Sequence, residues 1–348
     1  MTLRHVFSLR DSRFKLQRAY PSQAQEIILL YYRPSMTRLV FIGICSALFF
    51  SSTFVLNRAM SLQGGHWLWT ACLRYVYMFF LLSGWLVLTG RSRVLKETFS
   101  TYRRNWCFWT IAGSTGFGAF YSLLTFSSSF APGWVVATTW QATILATPLV
   151  LLMFGKRVPM KGILFTLLIF TGIILVTCEQ ATAASIKETL LGILPVLAAA
   201  VAYPTGNQLV WEARHGSIGI IPKISGTVLD DSIGRVLIMV LGSMPFWIVL
   251  TLLLQPPPPT TGQLINTAMV AVFSGVVATT LFFHARHLAR TPFELTAVDA
   301  TQSTEVIFSL LGEILFLNGA LPGAAGFLGI ALSLLGLVLY VRSQTANS

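Results

Sequence analysis

The sequence predicts an all-α integral membrane protein of ten transmembrane helices, arranged as two inverted five-helix repeats, and three observations carry that expectation. Of 348 residues, 54% are hydrophobic and only 10% charged, with a mean hydropathy of +0.71. Such a chain has too little polar surface to cover a water-soluble globule. Its apolar residues come in stretches of about 20, the length a helix needs to cross roughly 30 Å of hydrocarbon. An internal similarity relates its two halves. Runs such as VLIMVLGSMPFWIVLTLLL over 236–254 lack the strict alternation of a barrel strand, so the spans are helices.

Divided at charges, Pro and Gly, the spans fall at 39–62, 66–89, 105–128, 132–155, 160–178, 189–211, 233–254, 264–286, 292–316 and 323–341. The net charge of +12 would suggest nucleic acid in a soluble protein, but its distribution points elsewhere. With the N-terminus cytoplasmic, all but three of the 24 Lys and Arg residues lie in cytoplasmic segments. The exceptions are Lys187 outside, and Arg58 and Arg74 within the membrane. This bias predicts a multi-pass protein of the cell (cytoplasmic, inner) membrane with both termini cytoplasmic, and it explains the basic pI without a nucleic-acid partner. Cys45, Cys72, Cys107 and Cys178 all fall inside predicted helices at unrelated spacings, as small packing residues would.

Residues 1–35 form a polar, basic N-terminal arm without the apolar core of a signal peptide. Two readings of it stay open: a membrane-surface arm, or a gene start misplaced upstream of a true start at Met36. The first five-helix repeat then covers 36–180 and the second 181–342, with a short tail over 343–348. Ala131-Pro132 followed by Thr139-Trp140-Gln141-Ala142-Thr143 matches Thr291-Pro292 followed by Thr301-Gln302-Ser303-Thr304, and 162–176 resembles 326–340. Because five is odd, a duplicated five-helix unit enters the membrane upside down. In that plan the substrate site lies near the midplane, where the halves meet.

Several segments carry a resemblance to a known family: FFSSTFVLNR (49–58), GGHWLWTACLRY (64–75), AYPTGNQ (202–208), and TQSTEVIFSLLGEILF (301–316) followed by PGAAGFLGIALSLLGLVLY. The chain resembles the drug/metabolite transporter superfamily over about 36–342. It is similar there to the ten-helix multidrug resistance efflux transporter-like subgroup. The resemblance implies two inverted repeats working by alternating access, and the subgroup label implies export. One departure matters. Small multidrug pumps of the superfamily keep a membrane-embedded glutamate in their first helix, and 39–62 has none, so a proton-coupled drug mechanism does not transfer directly.

An ionisable group in hydrocarbon costs about 2.5–3.5 kcal/mol on insertion scales, so each is a candidate site or an internally paired strut. Arg58 and Glu313 fall near the outer ends of their helices, where Arg58 can snorkel to the headgroups and Glu313 can make a capping or loop contact. Arg74 and Glu305 lie at similar depth and could form a buried pair. Alternatively, Glu305 is the proton- or cation-coupling carboxylate, with Asp299 as a second candidate. Gln302 stands three residues from each acid and could bridge them. Thr139, Thr143 and Thr147, beside Trp140 and Gln141, suggest the opposite cavity wall. Asn57, Tyr203, Asn207 and Gln208, near a kink expected at Pro204, add polar groups, and Tyr121 and Trp140 could stack on a flat ligand. The expected cavity is lined by the first, third, fourth, sixth, eighth and ninth spans.

Enzymatic function is not expected. The sequence has no HExxH, GxSxG or GxxxxGK motif and no metal-spaced cysteines, which leaves a membrane-embedded enzyme as a remote alternative. His284 and His287 read as an interfacial cluster, and Asp231 or Ser232 as the cap of the next span, with Asp231 able to pair with Arg235. A receptor or scaffold would call for a sizeable soluble domain. The sequence therefore predicts a secondary active transporter, without cofactor or metal, that exports small cationic or amphipathic organic molecules by proton-coupled alternating access. Its partners would be the substrate, protons or another counter-ion and the lipid bilayer, as monomer or homodimer. Two acids in the cavity favour cationic cargo. The arginines keep open a metabolite carrier or exchanger for an amino acid, a nucleotide sugar or another small metabolite.

Overall fold

The computed structural model describes residues 35–156, 163–216, 218–289 and 291–345. The arm over 1–34, Arg157, Lys161 and Arg290 lie outside them. Among the described residues all regular structure is helical, and twelve helices follow in order. These are α1 (Met36–Leu62), α2 (Trp67–Leu88), α3 (Ser92–Arg104), α4 (106–127), α5 (Gly133–Met153), α6 (Ile163–Ala183), α7 (Ile186–His215), α8 (Thr227–Asp230), α9 (Ser232–Leu254), α10 (Thr261–Leu288), α11 (292–317) and α12 (Ala324–Thr345).

Among the described residues, nine of these helices are long and apolar enough to cross a membrane: α1, α2, α5, α6, α7 and α9 to α12. The tenth expected span, 105–128, is helical over most of its length but is not among the nine. Its middle, Ser114–Ala119, is a π-helical stretch of small and polar residues. That composition lowers its hydropathy and serves packing instead. A Cβ added to Gly206 of α7 would stand 2.2 Å from the Cα of Gly116, and one on Gly242 of α9 would meet the Trp109 carbonyl at 2.1 Å. The α4 backbone thus touches two neighbours directly, which is how helices associate where lipid removes the hydrophobic driving force.

Helix ends are set by local chemistry. Ser185 and Glu188 form a reciprocal cap that starts α7 at Ile186, earlier than hydropathy alone suggests, and α7 ends on left-handed Gly216. Thr291 and Glu294 make the same box before α11. Although Pro204 lies inside α7, the helix runs unbroken for 30 residues. Helix α6 continues to Ala183, past its expected end, because the Glu179 carboxylate accepts from the backbone N–H groups of Gly323 (2.7 Å) and Gly326 at the start of α12. The amphipathic α3 was not anticipated, since its charges hide it from any search for apolar spans.

Helix α1 packs on α10 and α11, and α7 packs on α4 and α5. Helix α2 packs on α10 and α9 packs on α4, while α5 meets α6 as α11 meets α12. Three further contacts, α2 with α9, α5 with α11 and α6 with α12, join the two halves. The interruptions correspond as well. Both α4 and α10 contain a π-helical stretch, Ser114–Ala119 and Ala271–Ala278. Both α5 and α11 tighten into a turn, at 141–142 and at Thr301–Ser303, soon after a start that follows or contains proline.

Charge separates the two ends of the bundle. At the end carrying α3 and α8, Arg91 pairs with Asp231, Arg214 with Asp230 (2.5 Å), Lys156 with Glu212 (2.6 Å) and Arg286 with Asp299. Asp231 also caps α9 by accepting from the Gly234 N–H. The cap matches the expectation, but Asp231 pairs with Arg91 and not Arg235, because α3 brings Arg91 alongside. Among the cysteines only Cys72 is buried; Cys107 and Cys178 are exposed, contrary to a packing role.

Two outcomes are expected. Gly206→Val should destabilise the purified protein by about 1–3 kcal/mol in thermal or denaturant unfolding, whereas Gly84→Ala, where an added Cβ meets nothing within 4 Å, should leave stability unchanged or slightly raised. The Thr227 hydroxyl and Arg93 hold the Glu97 carboxyl below its usual 4.5, so the tie from α3 to α8 is complete above that value and is lost as pH falls through the lower folded one. Amide protection in α8 should therefore not change with ionisation of Glu97 above the usual 4.5, and should fall only as the pH drops below it.

Candidate functional site

One arginine of the spans meets no acid among the described residues. The Arg74 guanidinium of α2 donates to the Ser274 hydroxyl at 3.0 Å, inside the π-helical stretch of α10, and lies 4.2 Å over the Tyr121 ring of α4. The Tyr121 hydroxyl donates to the Asn57 side-chain oxygen of α1 at 3.2 Å. Four helices are thus joined through one cation. Two N–H groups of this network, Arg74 Nε and Asn57 Nδ2, are buried without an acceptor.

Aromatic rings enclose the network. Tyr75, next to Arg74, stacks on Phe117 at 5.3 Å and on Trp247 of α9 at 5.4 Å, and meets Tyr121 edge-on. A second group continues from it: Phe120, beside Tyr121, lies 4.9 Å from Trp140 of α5 and 5.0 Å from Tyr203 of α7. Tyr203 stands within electrostatic reach of both Arg74 and Glu305. Glu305 itself, at the first turn after the break in α11, is 8% exposed and makes no ion pair or side-chain hydrogen bond among the described residues. Near it in sequence, Ser309 Oγ and Gln302 Nε2 are also buried without partners, as is Thr139 Oγ1 on α5.

The structure therefore brings Asn57, Arg74, Tyr121, Trp140, Tyr203 and Glu305 into one region and places other expected residues elsewhere. The Arg74–Glu305 ion pair is not formed. Arg74 is met instead by a hydroxyl and a ring, a solution that sequence spacing cannot reveal. Gln302 does not bridge Asp299 and Glu305, because the tight turn at Thr301–Ser303 rotates the two acids off a common face. Asp299 turns to Arg286 and is about one-third exposed. Asn207 is exposed on α7 and donates to the Tyr203 carbonyl of its own helix. Gln208 donates to Glu212 at 2.8 Å, toward the basic end. Gln141 is buried at the break in α5 and donates to the Ala137 carbonyl. Thr143 and Thr147 likewise bond to carbonyls of their own helix. His284 and His287 are exposed at the basic end.

Arg58 does not snorkel. It donates to the Ser128 carbonyl at 3.1 Å and approaches Glu313 to 4.0 Å, while Glu313 accepts from the Gly133 N–H that opens α5. The capping contact expected of Glu313 is present. Tyr75, Phe117, Phe120, Trp247 and Ser274 were not singled out from sequence. The neighbour relation of Tyr75 to Arg74 is the one local signal; the others are ordinary residues of apolar helices until packing brings them together.

A family model described as "EmrE: Putative multidrug resistance efflux transporter" matches residues 37–346. The chain is 36% identical over 317 residues to "Uncharacterized protein YjlA" of Bacillus subtilis (strain 168), covering 86% of this chain and 93% of that one. It is also 36% identical over 291 residues to an uncharacterized 42.1 kDa protein encoded in the 3′ region of an intracellular alkaline protease of Shouchella clausii, covering 79% and 72% of the two chains. Among solved structures, a crystal structure 16% identical in sequence superposes with a TM-score of 0.55 over 90% of this chain and all of its own. That likeness supports the helical fold alone.

Replacing Glu313 by Ala removes the Gly133 acceptor and strands Arg58. Unfolding measurements should show a loss of about 3 kcal/mol, with Glu313→Gln intermediate; an unchanged midpoint would remove the structural role given to this contact.

Proposed function

Because the chain belongs to the EmrE-type multidrug resistance efflux transporter family, and so is a multi-pass membrane protein of transporter kind, we propose that it is a secondary active transporter exporting small cationic or amphipathic organic molecules by proton-coupled alternating access. The observation that carries this is Glu305, a buried carboxylate of α11 that makes no ion pair among the described residues. Burying a charge without a partner is costly, and either a proton or a cationic substrate relieves the cost. The two cannot do so at once. A proton entering from one side therefore displaces a cation bound from the other, and the aromatic pair Trp140 and Tyr203 offers faces to an organic cation.

Two inverted five-helix repeats, 36–180 and 181–342, give this exchange its mechanics. The paired π-helical stretches of α4 and α10, the paired turns of α5 and α11, and the matching helix contacts support that plan. Interrupted helices meeting at the midplane are where a fixed site can open first to one face and then to the other. The basic end, with α3, α8 and both termini, is assigned to the cytoplasm of a cell membrane by its Lys and Arg excess.

A second reading has an observation of its own. Arg74 Nε and Asn57 Nδ2 are donors without acceptors, and a carboxylate or phosphate on the cargo would satisfy both. That chemistry suits a metabolite carrier or exchanger, with Glu305 holding any amine the metabolite bears.

The test is transport into proteoliposomes of lipophilic cations, amino acids and nucleotide-linked sugars, with and without an inside-acid pH gradient. Under the first reading, gradient-driven cation uptake is lost in Glu305→Gln and largely kept in Arg74→Gln. Gradient-independent exchange of an anionic or zwitterionic metabolite, lost in Arg74→Gln and kept in Glu305→Gln, would establish the second reading and end the first.

A further inference from the structure

At the basic end, helix α3 carries a cationic surface without counter-charge among the described residues. Helix α3 presents Leu95, Lys96, Phe99, Ser100, Arg103 and Arg104 around a hollow of about 680 Å3. Neighbouring arginines of this end are matched: Arg91 by Asp231, Arg93 by Glu97 at 2.9 Å, and Arg214 by Asp230. Lys96, Arg103 and Arg104 are exposed, and among the described residues none of them forms an ion pair.

A helical step of 100° per residue places Leu95 and Phe99 at the border between the packed and the open faces of α3. Lys96 and Arg103 follow next to them, and Arg104 lies beyond. The packed face is held by buried Thr98, and by the contacts of α3 with α2, α8 and α9. On the apolar side, Phe99 meets Phe79 of α2 edge-on at 6.2 Å. The neighbouring Phe80 is 66% exposed, and so is Trp106, at 63%, where α4 begins. A three-cation pole therefore adjoins Phe99, which leads through Phe79 to the exposed Phe80 of α2.

We propose that this hollow is a binding site for one anionic phospholipid, its phosphate and any further headgroup charge held by Lys96, Arg103 and Arg104, and its acyl chains laid against Leu95, Phe99 and Phe80. A small anion in solution has no use for the apolar half of the site. A zwitterionic lipid has no net charge to offer its three cations. The combination selects an anionic amphiphile in the leaflet at this end, where each basic side chain adds attraction that falls off within a Debye length. Because α3 is tied to the loop before α9 through the Glu97–Thr227 hydrogen bond and the Arg91–Asp231 pair, a lipid seated here also braces that loop.

The experiment uses the full-length protein purified in a mild detergent, with phosphatidylglycerol, phosphatidylcholine or inorganic phosphate added. Native mass spectrometry reads retained lipid, and the unfolding temperature reads stabilisation. Wild type should keep a phosphatidylglycerol adduct in preference to phosphatidylcholine, and phosphatidylglycerol alone should raise its unfolding temperature. The variant Lys96→Gln/Arg103→Gln/Arg104→Gln should bind phosphatidylglycerol on the order of 100-fold more weakly. Removing three charges elsewhere at the same end, Arg38→Gln/Lys223→Gln/Arg342→Gln, should leave the adduct in place. Lys96→Arg, which keeps the charge, should also retain it and guards against loss through misfolding. Equal loss in both triple variants would reduce the effect to the general field of the basic end and overturn the site. Equal protection by phosphate would overturn its assignment to a lipid, as would equal retention of phosphatidylcholine.

Discussion

A polar group inside hydrocarbon has no water to turn to, so it finds a protein partner or pays the full cost of desolvation. Most charged side chains of the spans obey this constraint visibly. Glu179 closes the first turn of α12, and Glu313 closes that of α5 while approaching Arg58. Glu212 takes Lys156, and Asp299 takes Arg286. Against that background the exceptions stand out. Among the described residues, Arg74 and Asn57 each keep an N–H without an acceptor, and the buried Glu305 carboxylate makes no ion pair or side-chain hydrogen bond. Arg74 lies over the Tyr121 ring, and Tyr203 stands in electrostatic reach of both Arg74 and Glu305.

The same constraint shapes the backbone. Irregular main chain at membrane depth is tolerated only where it is packed or lines a site. The π-helical stretch of α4 lies against Gly206 of α7, close enough that a single added methyl group would clash. That of α10 holds Ser274, the hydroxyl that receives Arg74. The tight turns of α5 and α11 sit next to Trp140 and Glu305. Departures from regular helix therefore coincide with the buried polar and aromatic side chains of the candidate site, as local π and 3-10 geometry often does. Glycine at the crossings lets the helices meet backbone to backbone.

How much of this was legible depended on the range of the interaction. Glu313 was correctly expected to make a capping contact, because its place near a helix end limits what it can do. Arg58 was expected to reach for headgroups, yet the Ser128 carbonyl and Glu313 lie nearer, a competition decided by how α1 packs against α5 and α11. The strip of Asp299, Gln302 and Glu305 was drawn on a continuous helix, and three residues of tighter winding undo it. Asn207 and Gln208 were placed by sequence beside Tyr203, but the rotation of α7 sends Asn207 to the surface and Gln208 to Glu212.

Hydropathy, charge bias and cap residues act over one span or one turn, so the sequence by itself determined the helical membrane architecture, the spans to within a few residues, and the basic end. Those properties follow from transfer free energy and backbone hydrogen bonding, which depend little on what a helix packs against. Only the tertiary structure decided which polar side chains meet. The stacking of Arg74 on Tyr121, the box of rings around Tyr75, and the isolation of Glu305 all depend on the rotation of each helix about its axis. That rotation is fixed jointly by contacts among helices far apart in sequence, and no local pattern contains it.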